Sequence, residues 1–444
     1  MESERALNRN MIIEACASAN REGRPLYLVI LATKPCYIKL ASLIHSLLQR
    51  GVPFLLIDTG QHYEAVLSNA KIEFEYHQSI SVYLNIRGGL LSRTADLAHK
   101  LQWLANELVS AGLRQPPIPI VSGDTSTAAL LPSLWYLLTG YRSVHVEAGL
   151  RSSGPEMSWE WQDLHRLLSQ RETRWRRFRD DPFPEGIDTT LASVASDLLF
   201  APVERNAKNL VEEGYDTEQI HVVGSLSADA VHLALSGDTS DVESGLSPEL
   251  FNGKWLRVDI HRRENTTAER LRAIVHGVAQ FSDNGAKVVL IRSNALDAAL
   301  QRNAEEDLLQ ALRGHSGFVI HSLWPSYRDV IRFINSANCL GVFTDSGGLQ
   351  EEANVLGIPC VTCRYSTDRP ETVLESASNI LLPPNSPNLI ANGLQSVFSS
   401  DPARVWPDLD KHGLYGKNVG ARIADILSQY VAPPAAKGAE IVFA

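Results

Sequence analysis

Eleven short, nearly uninterrupted apolar runs punctuate this chain, and segments of helical periodicity lie between them. Leu26–Ala32, Pro53–Ile57, Ile118–Val121, Ser143–Val146, Leu198–Ala201 and Ile220–Val223 form one set. Trp255–Ile260, Lys287–Ile291, Phe318–His321, Cys339–Phe343 and Pro359–Cys363 form a second. A strand that is apolar on both faces must be covered on both, and intervening helices supply the cover, so the pattern predicts parallel sheets. Two such sets predict an α/β protein of two Rossmann-like domains facing a cleft. The joint is expected in Ser225–Leu256, which is rich in Gly, Ser and acids. A length of 444 residues suits two or three domains.

Composition narrows the partners. No run reaches the ~18–20 apolar residues of a membrane span. Forty-one Lys and Arg against 51 Asp and Glu leave a formal charge of −10, which argues against generic polyanion and nucleic-acid binding but permits a small anionic substrate in a local basic pocket. The first residues lack the ordered basic, apolar and small-residue regions of a signal peptide. Five cysteines (Cys16, Cys36, Cys339, Cys360, Cys363) are an odd, sparse set suited to a reducing cytoplasm. The lone C-x-x-C at Cys360 and Cys363 lies in an apolar run and reads as buried strand; a metal site calls for a second pair or nearby histidines.

Ligands of parallel sheets bind beyond the carboxyl ends of strands, so the polar residues after each run carry the argument. Ile118–Val121 is followed by Ser122-Gly123-Asp124-Thr125, and Asp124 stands at a corner where a carboxylate either caps the next helix or projects into the cleft. Ser143–Val146 is followed by Glu147-Ala148-Gly149-Leu150-Arg151. A carboxylate there is costly to desolvate without a task or a partner, for which Arg151 is the candidate. Glu185 precedes a further helix. His261-Arg262-Arg263 directly follows the first strand of the second set, either as acid, base or phosphate partner or as a surface basic cluster. Three carboxylates and one histidine at a cleft suit proton transfers on a sugar carbon.

The sharpest signal is Thr344-Asp345-Ser346-Gly347-Gly348-Leu349-Gln350-Glu351-Glu352, which reads as strand, glycine turn and helix start. Glycines allow close backbone approach, and helix-start amides attract a diphosphate; Glu352, about one turn in, can accept from a ribose diol. Arg364 and Thr367-Asp368-Arg369-Pro370-Glu371 form a second charged turn. Neither G-x-G-x-x-G nor G-x-x-x-x-G-K-[ST] occurs, so neither a nicotinamide cofactor nor a triphosphatase is supported.

The blocks GDTSTAALLPSL, VHVEAGLRS, SDLLFAPVERNAKNLVEEG, HRRE, TDSGGLQEEANVLGIPCV and STDRPETV resemble the UDP-N-acetylglucosamine 2-epimerases of the non-hydrolysing type. Thr59-Gly60-Gln61-His62 and Tyr415-Gly416 also fit, and the resemblance runs from about residue 26 to about residue 428. It implies a glycosyltransferase-B-like pair of domains: an N-terminal one over 1–225, a C-terminal UDP-binding one over 226–425, and a tail over 426–444. The implied reaction is interconversion of UDP-GlcNAc, or a modified UDP-2-acetamido sugar, with its C2 epimer by anti elimination of UDP and re-addition. No cofactor or metal is needed, and a homodimer is implied. Asp124, Glu147, Glu185 and His261 match the family's catalytic acid–base positions. Ser346, Gly347 and Gly348 match its diphosphate loop, Glu352 its ribose carboxylate, and Lys39 a lysine near the sugar side.

Departures from the family pattern bear on the substrate. Lys34 replaces a phosphate-contacting arginine, keeping the charge but losing the bidentate fork. The family's P-E-E-x-N-R reads Pro184-Glu185-Gly186-Ile187-Asp188-Thr189. Its H-x-N-P reads Arg292-Ser293-Asn294-Ala295, so that Arg292 is placed to take over an anionic contact, and a glycine after R-P-E becomes Ala377. Arg263 and Arg369 complete the expected positive lining. About two dozen residues are inserted between Arg151 and Glu185, over about 157–181. They hold Trp159–Trp161 and then Arg171, Arg174, Arg176, Arg177 and Arg179 among aromatics, which read as an amphipathic helix with solvated arginines or as a lid. A hydrolysing epimerase releasing UDP and a free sugar, a glycosyltransferase and a non-catalytic sugar-nucleotide binding protein are the alternatives.

Overall fold

The computed structural model describes residues 6–60, 70–158, 161, 163–179, 181–236, 246–310, 312, 315, 317–409 and 413–437. Gln61, His62, Trp159 and Glu160, singled out in the sequence, lie outside the described residues. The chain divides into two compact units. The first comprises Met1–Leu150, Phe183–Ala230 and Tyr415–Ala444, and the second Arg151–Pro182 and Val231–Leu414.

In the first unit, β1 (Ala6–Leu7), β2 (Leu26–Leu31), β3 (Phe54–Asp58), β4 (Ile80–Tyr83), β5 (Pro117–Ser122), β6 (Ser143–Val146), β9 (Ser196–Ala201) and β10 (Ile220–Val222) form one sheet. Its order is β1-β4-β3-β2-β5-β6-β9-β10, parallel except for β1 against β4. The winding reverses between β2 and β5, and a crevice forms outside the carboxyl ends of strands at such a point.

The second unit repeats the device with β11 (Trp255–Asp259), β12 (Lys287–Arg292), β13 (Phe318–Ser322), β14 (Cys339–Thr344), β15 (Cys360–Thr362) and β16 (Asn379–Leu381). Their order is β13-β12-β11-β14-β15-β16, all parallel, with the reversal between β11 and β14. Alternation along β11 divides its side chains between two cores. Leu256, Val258 and Ile260 pack with the helices Ala268–Asp283 and Pro387–Ser399, while Trp255 packs with Val289, Ile291 and Trp324 on the other face. Cys360 and Cys363 are buried free thiols in and beside β15, and burial pushes the Cys360 thiol up to about 12.

All eleven apolar runs are strands. The unpredicted strands are short or poor in apolar residues, as in β7 (Ser153–Pro155) and β8 (Trp175–Arg177), which pair antiparallel. They belong to the inserted segment and overturn two expectations. Trp175–Arg177 is strand rather than amphipathic helix, and the segment belongs to the second unit rather than the N-terminal one. The reason lies in its contacts. Trp161 and Leu167 enter the core around β11, and Ser153 exchanges backbone hydrogen bonds of 2.8 and 2.9 Å with Thr367. The Gln170 amide donates to the Leu381 carbonyl (2.9 Å) and accepts from the Leu381 N–H (2.9 Å), closing the edge of β16 with a side chain. Glycine is required at Gly154, where a Cβ would lie 2.4 Å from the Tyr365 carbonyl.

The expected C-terminal tail also has a home. The helix Val419–Gln429 packs in the first unit, where a Cβ at Gly420 would come within 2.6 Å of the Ser42 backbone. The Asp229 carboxylate accepts from the Gly420 N–H at 2.8 Å. The unit boundary, at Ala230, falls inside the helix Leu226–Ser236.

Ala377 has φ +46, a left-handed conformation that suits the glycine expected there. The Cβ makes this region unfavourable for alanine by about 1–2 kcal/mol, partly offset by glycine's larger unfolded-state entropy. Ala377→Gly is therefore expected to raise stability by about 0.5–1 kcal/mol, read as a higher urea midpoint at unchanged m.

Candidate active site

The site residues of the first unit stand beyond neighbouring strands. β2 leads into the helix Lys34–Lys39, which carries Lys34, half-buried, in its first turn and Lys39, 9% exposed, in its last. β5 leads into Gly123 and Asp124, and Thr125, not Asp124, caps the next helix by accepting from the Ala128 N–H. The capping alternative for Asp124 is thereby removed. Its carboxylate lies half-buried within electrostatic reach of Asp188.

Glu147 follows β6 with φ +67, a conformation that strains a residue with a Cβ and is met where the surroundings over-determine it. The surroundings are explicit. Lys39 Nζ lies 2.5 Å from Glu147 Oε1, and both side chains are buried. Gly123 leaves room for the other oxygen, since a Cβ there would sit 3.1 Å from Glu147 Oε2. Gly149 presses against the Asn206 carbonyl, where a Cβ would lie at 2.2 Å, and Asn209 donates to the Gly149 carbonyl at 2.8 Å. Buried His145 joins the Gly123 carbonyl (3.0 Å) to the Ser193 hydroxyl (2.9 Å), bracing the corner that carries Asp124. Glu185 is half-buried at the start of the helix Glu185–Val194, and Asp188 is one turn further on.

Asp188 carries no site signal in the sequence, because a lone Asp in the first turn of a helix reads as ordinary dipole compensation. It is 7% exposed and accepts from Ser126 Oγ at 2.7 Å. Burial pushes its carboxyl above the usual carboxylate range, the Ser126 hydrogen bond opposes this, and the Asp124 charge adds to it.

In the second unit the site is built across the reversal between β11 and β14. Asp345, fully buried after β14, accepts from the His261 N–H (3.1 Å), the Arg262 N–H (3.0 Å) and Asn265 Nδ2 (3.0 Å), tying the turn after β11 to the turn after β14. His261 Nδ1 lies 3.3 Å from Asp259 Oδ1 and 3.6 Å from Asp345 Oδ1, with the side chain 40% exposed. Desolvation works against protonation of this imidazole, but Asp345 and Asp259 outweigh it against the opposing charge of Arg262, holding its pKa above the usual histidine value. Arg263 is exposed in the turn that follows.

Ser346 caps the ten-residue helix Gly347–Leu356, accepting from the Leu349 N–H. Helix geometry leaves the Gly347 and Gly348 N–H groups without intrahelical partners, as an anion-binding start requires. Asp368 abuts this turn, since a Cβ at Gly347 would lie 2.8 Å from Asp368 Oδ2. Glu352 accepts from the Tyr327 hydroxyl at 3.0 Å. Arg369, 3% exposed, turns inward to Glu351 and to Asp368 (2.6 Å), and buried Arg364 holds the other Asp368 oxygen at 2.7 Å. Arg369 thus supports the turn from beneath. Arg292, half exposed, pairs with Asp297 at 2.5 Å, while Ser293 caps the next helix. Among the described residues no group of three or more His, Cys, Asp or Glu could hold a metal ion, and no helix is long and apolar enough to cross a membrane.

Two doubly wound units, one with a Ser-Gly-Gly helix start at its reversal point, form the architecture of α/β proteins that hold nucleotides at strand ends. The chain belongs to the UDP-N-acetylglucosamine 2-epimerase family, whose model matches residues 176–428. It is similar to the UDP-N-acetylglucosamine 2-epimerase of Methanococcus maripaludis, 30% identical over 393 residues that cover 88% of this chain and 95% of that one. The enzyme of that name from Methanocaldococcus jannaschii is 29% identical over 366 residues, 82% and 89% of the two chains. The crystal structure of Methanocaldococcus jannaschii UDP-GlcNAc 2-epimerase in complex with UDP-GlcNAc and UDP matches with a TM-score of 0.69 at 25% identity, covering 91% of this chain and 100% of that one.

Two outcomes follow from the buried charges. Lys39→Met leaves the Glu147 carboxylate buried without its ammonium partner and is expected to cost about 3–5 kcal/mol, part of which Lys39→Met/Glu147→Gln restores in a double-mutant cycle. Asp188 binds its proton more tightly folded than unfolded. Its contribution to stability is therefore full below the ordinary carboxylate range and falls as pH rises through the raised folded value. Asp188→Asn removes that fall, so its urea midpoint should match wild type near about pH 3 and exceed it near about pH 8.

Proposed function

We propose that this chain is a sugar-nucleotide 2-epimerase that interconverts UDP-GlcNAc, or a modified UDP-2-acetamido sugar, and its C2 epimer. One observation carries the reading: in a member of this family, the expected acid–base residues Asp124 and Glu147 stand beyond strand ends of one doubly wound unit in which Glu185 starts a helix, and His261 stands beside a Ser-Gly-Gly helix start in the other. The diphosphate is taken by Ser346 and the amides of Gly347 and Gly348, and the ribose diol by Glu352, which Tyr327 orients. Lys34, Arg263 and Arg292 supply positive charge to the anionic substrate.

The chemistry is an elimination and its reversal on the other face. A base removes the C2 proton, the C2–H electron pair becomes the C1=C2 bond, and the C1–O bond breaks with its electrons leaving on UDP. The resulting 2-acetamidoglucal is reprotonated at C2 from the opposite face as UDP re-adds at C1. Asp124, Glu147 and Glu185 divide the proton transfers, and His261, favoured in its charged form, steadies the negative charge that grows on the leaving diphosphate. Re-addition needs UDP to be retained, and the pairing of Asp368 with Arg364 and Arg369 beneath the glycine turn keeps that turn in place. A homodimer and a cytoplasmic setting belong to the same proposal, on the family resemblance and five free thiols.

Incubation with UDP-GlcNAc in D2O is expected to yield UDP-ManNAc with deuterium at C2 in both epimers. Glu147→Gln is expected to lower the exchange rate by about a hundredfold or more. Binding of UDP-GlcNAc without C2 exchange sinks the reading, and UDP accumulating in step with free N-acetylmannosamine replaces it with hydrolysis.

A further inference from the structure

The strand β11 carries charge where a buried parallel strand is ordinarily apolar. Arg257 is 2% exposed and Asp259 is 8% exposed. With His261 they occupy alternate positions, so all three share one side of the chain. Arg257 Nη2 lies 2.9 Å from Asp259 Oδ2, and Asp259 Oδ1 lies 3.3 Å from His261 Nδ1. The rest of the guanidinium is placed over the Trp324 ring, its Cζ 4.3 Å from the centroid, while its Nε and Nη1 have no hydrogen-bond partner among the described residues. A buried arginine with part of its guanidinium unsatisfied is expensive to maintain. Its evident task is to hold a carboxylate in place under the imidazole.

Two carboxylates face His261, and they are not equivalent. Asp345 comes from the end of β14 and already accepts from the His261 and Arg262 N–H groups and from Asn265. Arg262, the nearest cation on the turn, donates from Nε to the Asp345 carbonyl and lies 3.8 Å from Asp368. Asp259 has one oxygen on Arg257 and the other on His261 Nδ1, which makes it the carboxylate free to choose the tautomer of the ring.

We propose that Asp259, anchored by Arg257, is a positioning residue that holds His261 with Nδ1–H inward and presents Nε2 to the substrate. The orienting role rests on His261 acting on substrate as read above; the relay itself is a property of the folded chain. A fixed tautomer means that Nε2 is a proton acceptor when the ring is neutral and a donor when it is charged, without a ring flip between the two.

The test begins with wild-type protein. In 15N-resolved NMR of the ring, neutral His261 is expected as the Nδ1–H tautomer, and a predominant Nε2–H tautomer overturns the proposal. Arg257→Met/Asp259→Asn then removes the carboxylate charge without stranding the guanidinium. In this variant the titration midpoint of His261 is expected to fall by about one pH unit or more, and Asp259→Glu is expected to return it towards the wild-type value. A folded double variant whose His261 titrates as in wild type shows Asp259 to be structural only. Where wild type shows C2 exchange, the alkaline limb of the rate against pH should move down with the NMR midpoint. Absence of exchange with an intact Nδ1–H tautomer refutes the epimerase reading and leaves the relay standing.

Discussion

The Asp345 carboxylate is the contact on which the second unit's site depends. Parallel strands that neighbour across a winding reversal are joined by long crossovers, so nothing in the local chain sets how their two following turns meet. Asp345 sets it by accepting backbone N–H groups of His261 and Arg262 from the end of β14. A fully buried carboxylate is tolerable because these donors and Asn265 satisfy it. The same contact fixes the histidine against the start of the helix Gly347–Leu356, so imidazole and helix-start amides hold one arrangement. Removing the carboxylate would leave the His261 and Arg262 N–H groups without this acceptor.

Buried charge recurs wherever a functional turn needs support. Lys39 and Glu147 do this beside Asp124, Arg364 and Arg369 do it for Asp368 under the glycine turn, and Arg257 does it for Asp259. Desolvation opposes every such group. In Asp368, Arg369, Arg364 and Arg262 overcome it and hold the carboxyl far below the usual range. In Asp188, which meets a hydroxyl and a second carboxylate, they have no counterpart and the carboxyl rises instead. The first arrangement buttresses structure, and the second makes the Asp188 carboxyl hold a proton more firmly close to Asp124. A chain of net charge −10 therefore keeps a few positive charges, among them Lys39, Arg257, Arg364 and Arg369, buried beneath its functional turns.

The legible part of the fold follows from burial. Strands such as Leu26–Leu31 and Trp255–Asp259 are covered on both faces, and continuous apolar character was enough to find them. β7, β8 and β16 are not legible in the sequence because each is only three residues long, too short for an apolar run to stand out, and backbone partners and the Gln170 amide help to hold them. The inserted arginines misled for a related reason. Arg174 and Arg176 are exposed, and Arg176 stacks on Phe178, so spacing in sequence gave no account of Ser153 pairing with Thr367. At the site, Glu147 and Ser346 are readable because they follow strands, and Glu352 because it lies a little over one turn into the helix that the glycine turn starts. Asp188 and Asp259 are not, since one resembles routine charge compensation in the first turn of a helix and the other lies within a strand.

The sequence by itself determined two parallel sheets, the strand ends that carry polar chemistry and, through its motif blocks, the family. Those properties are local, set by periodicity and by residues adjacent in the chain. Only the tertiary structure decided which charges meet: Lys39 with Glu147 across 108 positions, His261 with Asp345 across 84, Arg369 with Glu351 across 18. It also decided that the inserted segment serves the second unit and that Arg369 faces inward. Parallel winding brings distant strand ends side by side, and electrostatic energy depends on distance in space, which one-dimensional order does not contain.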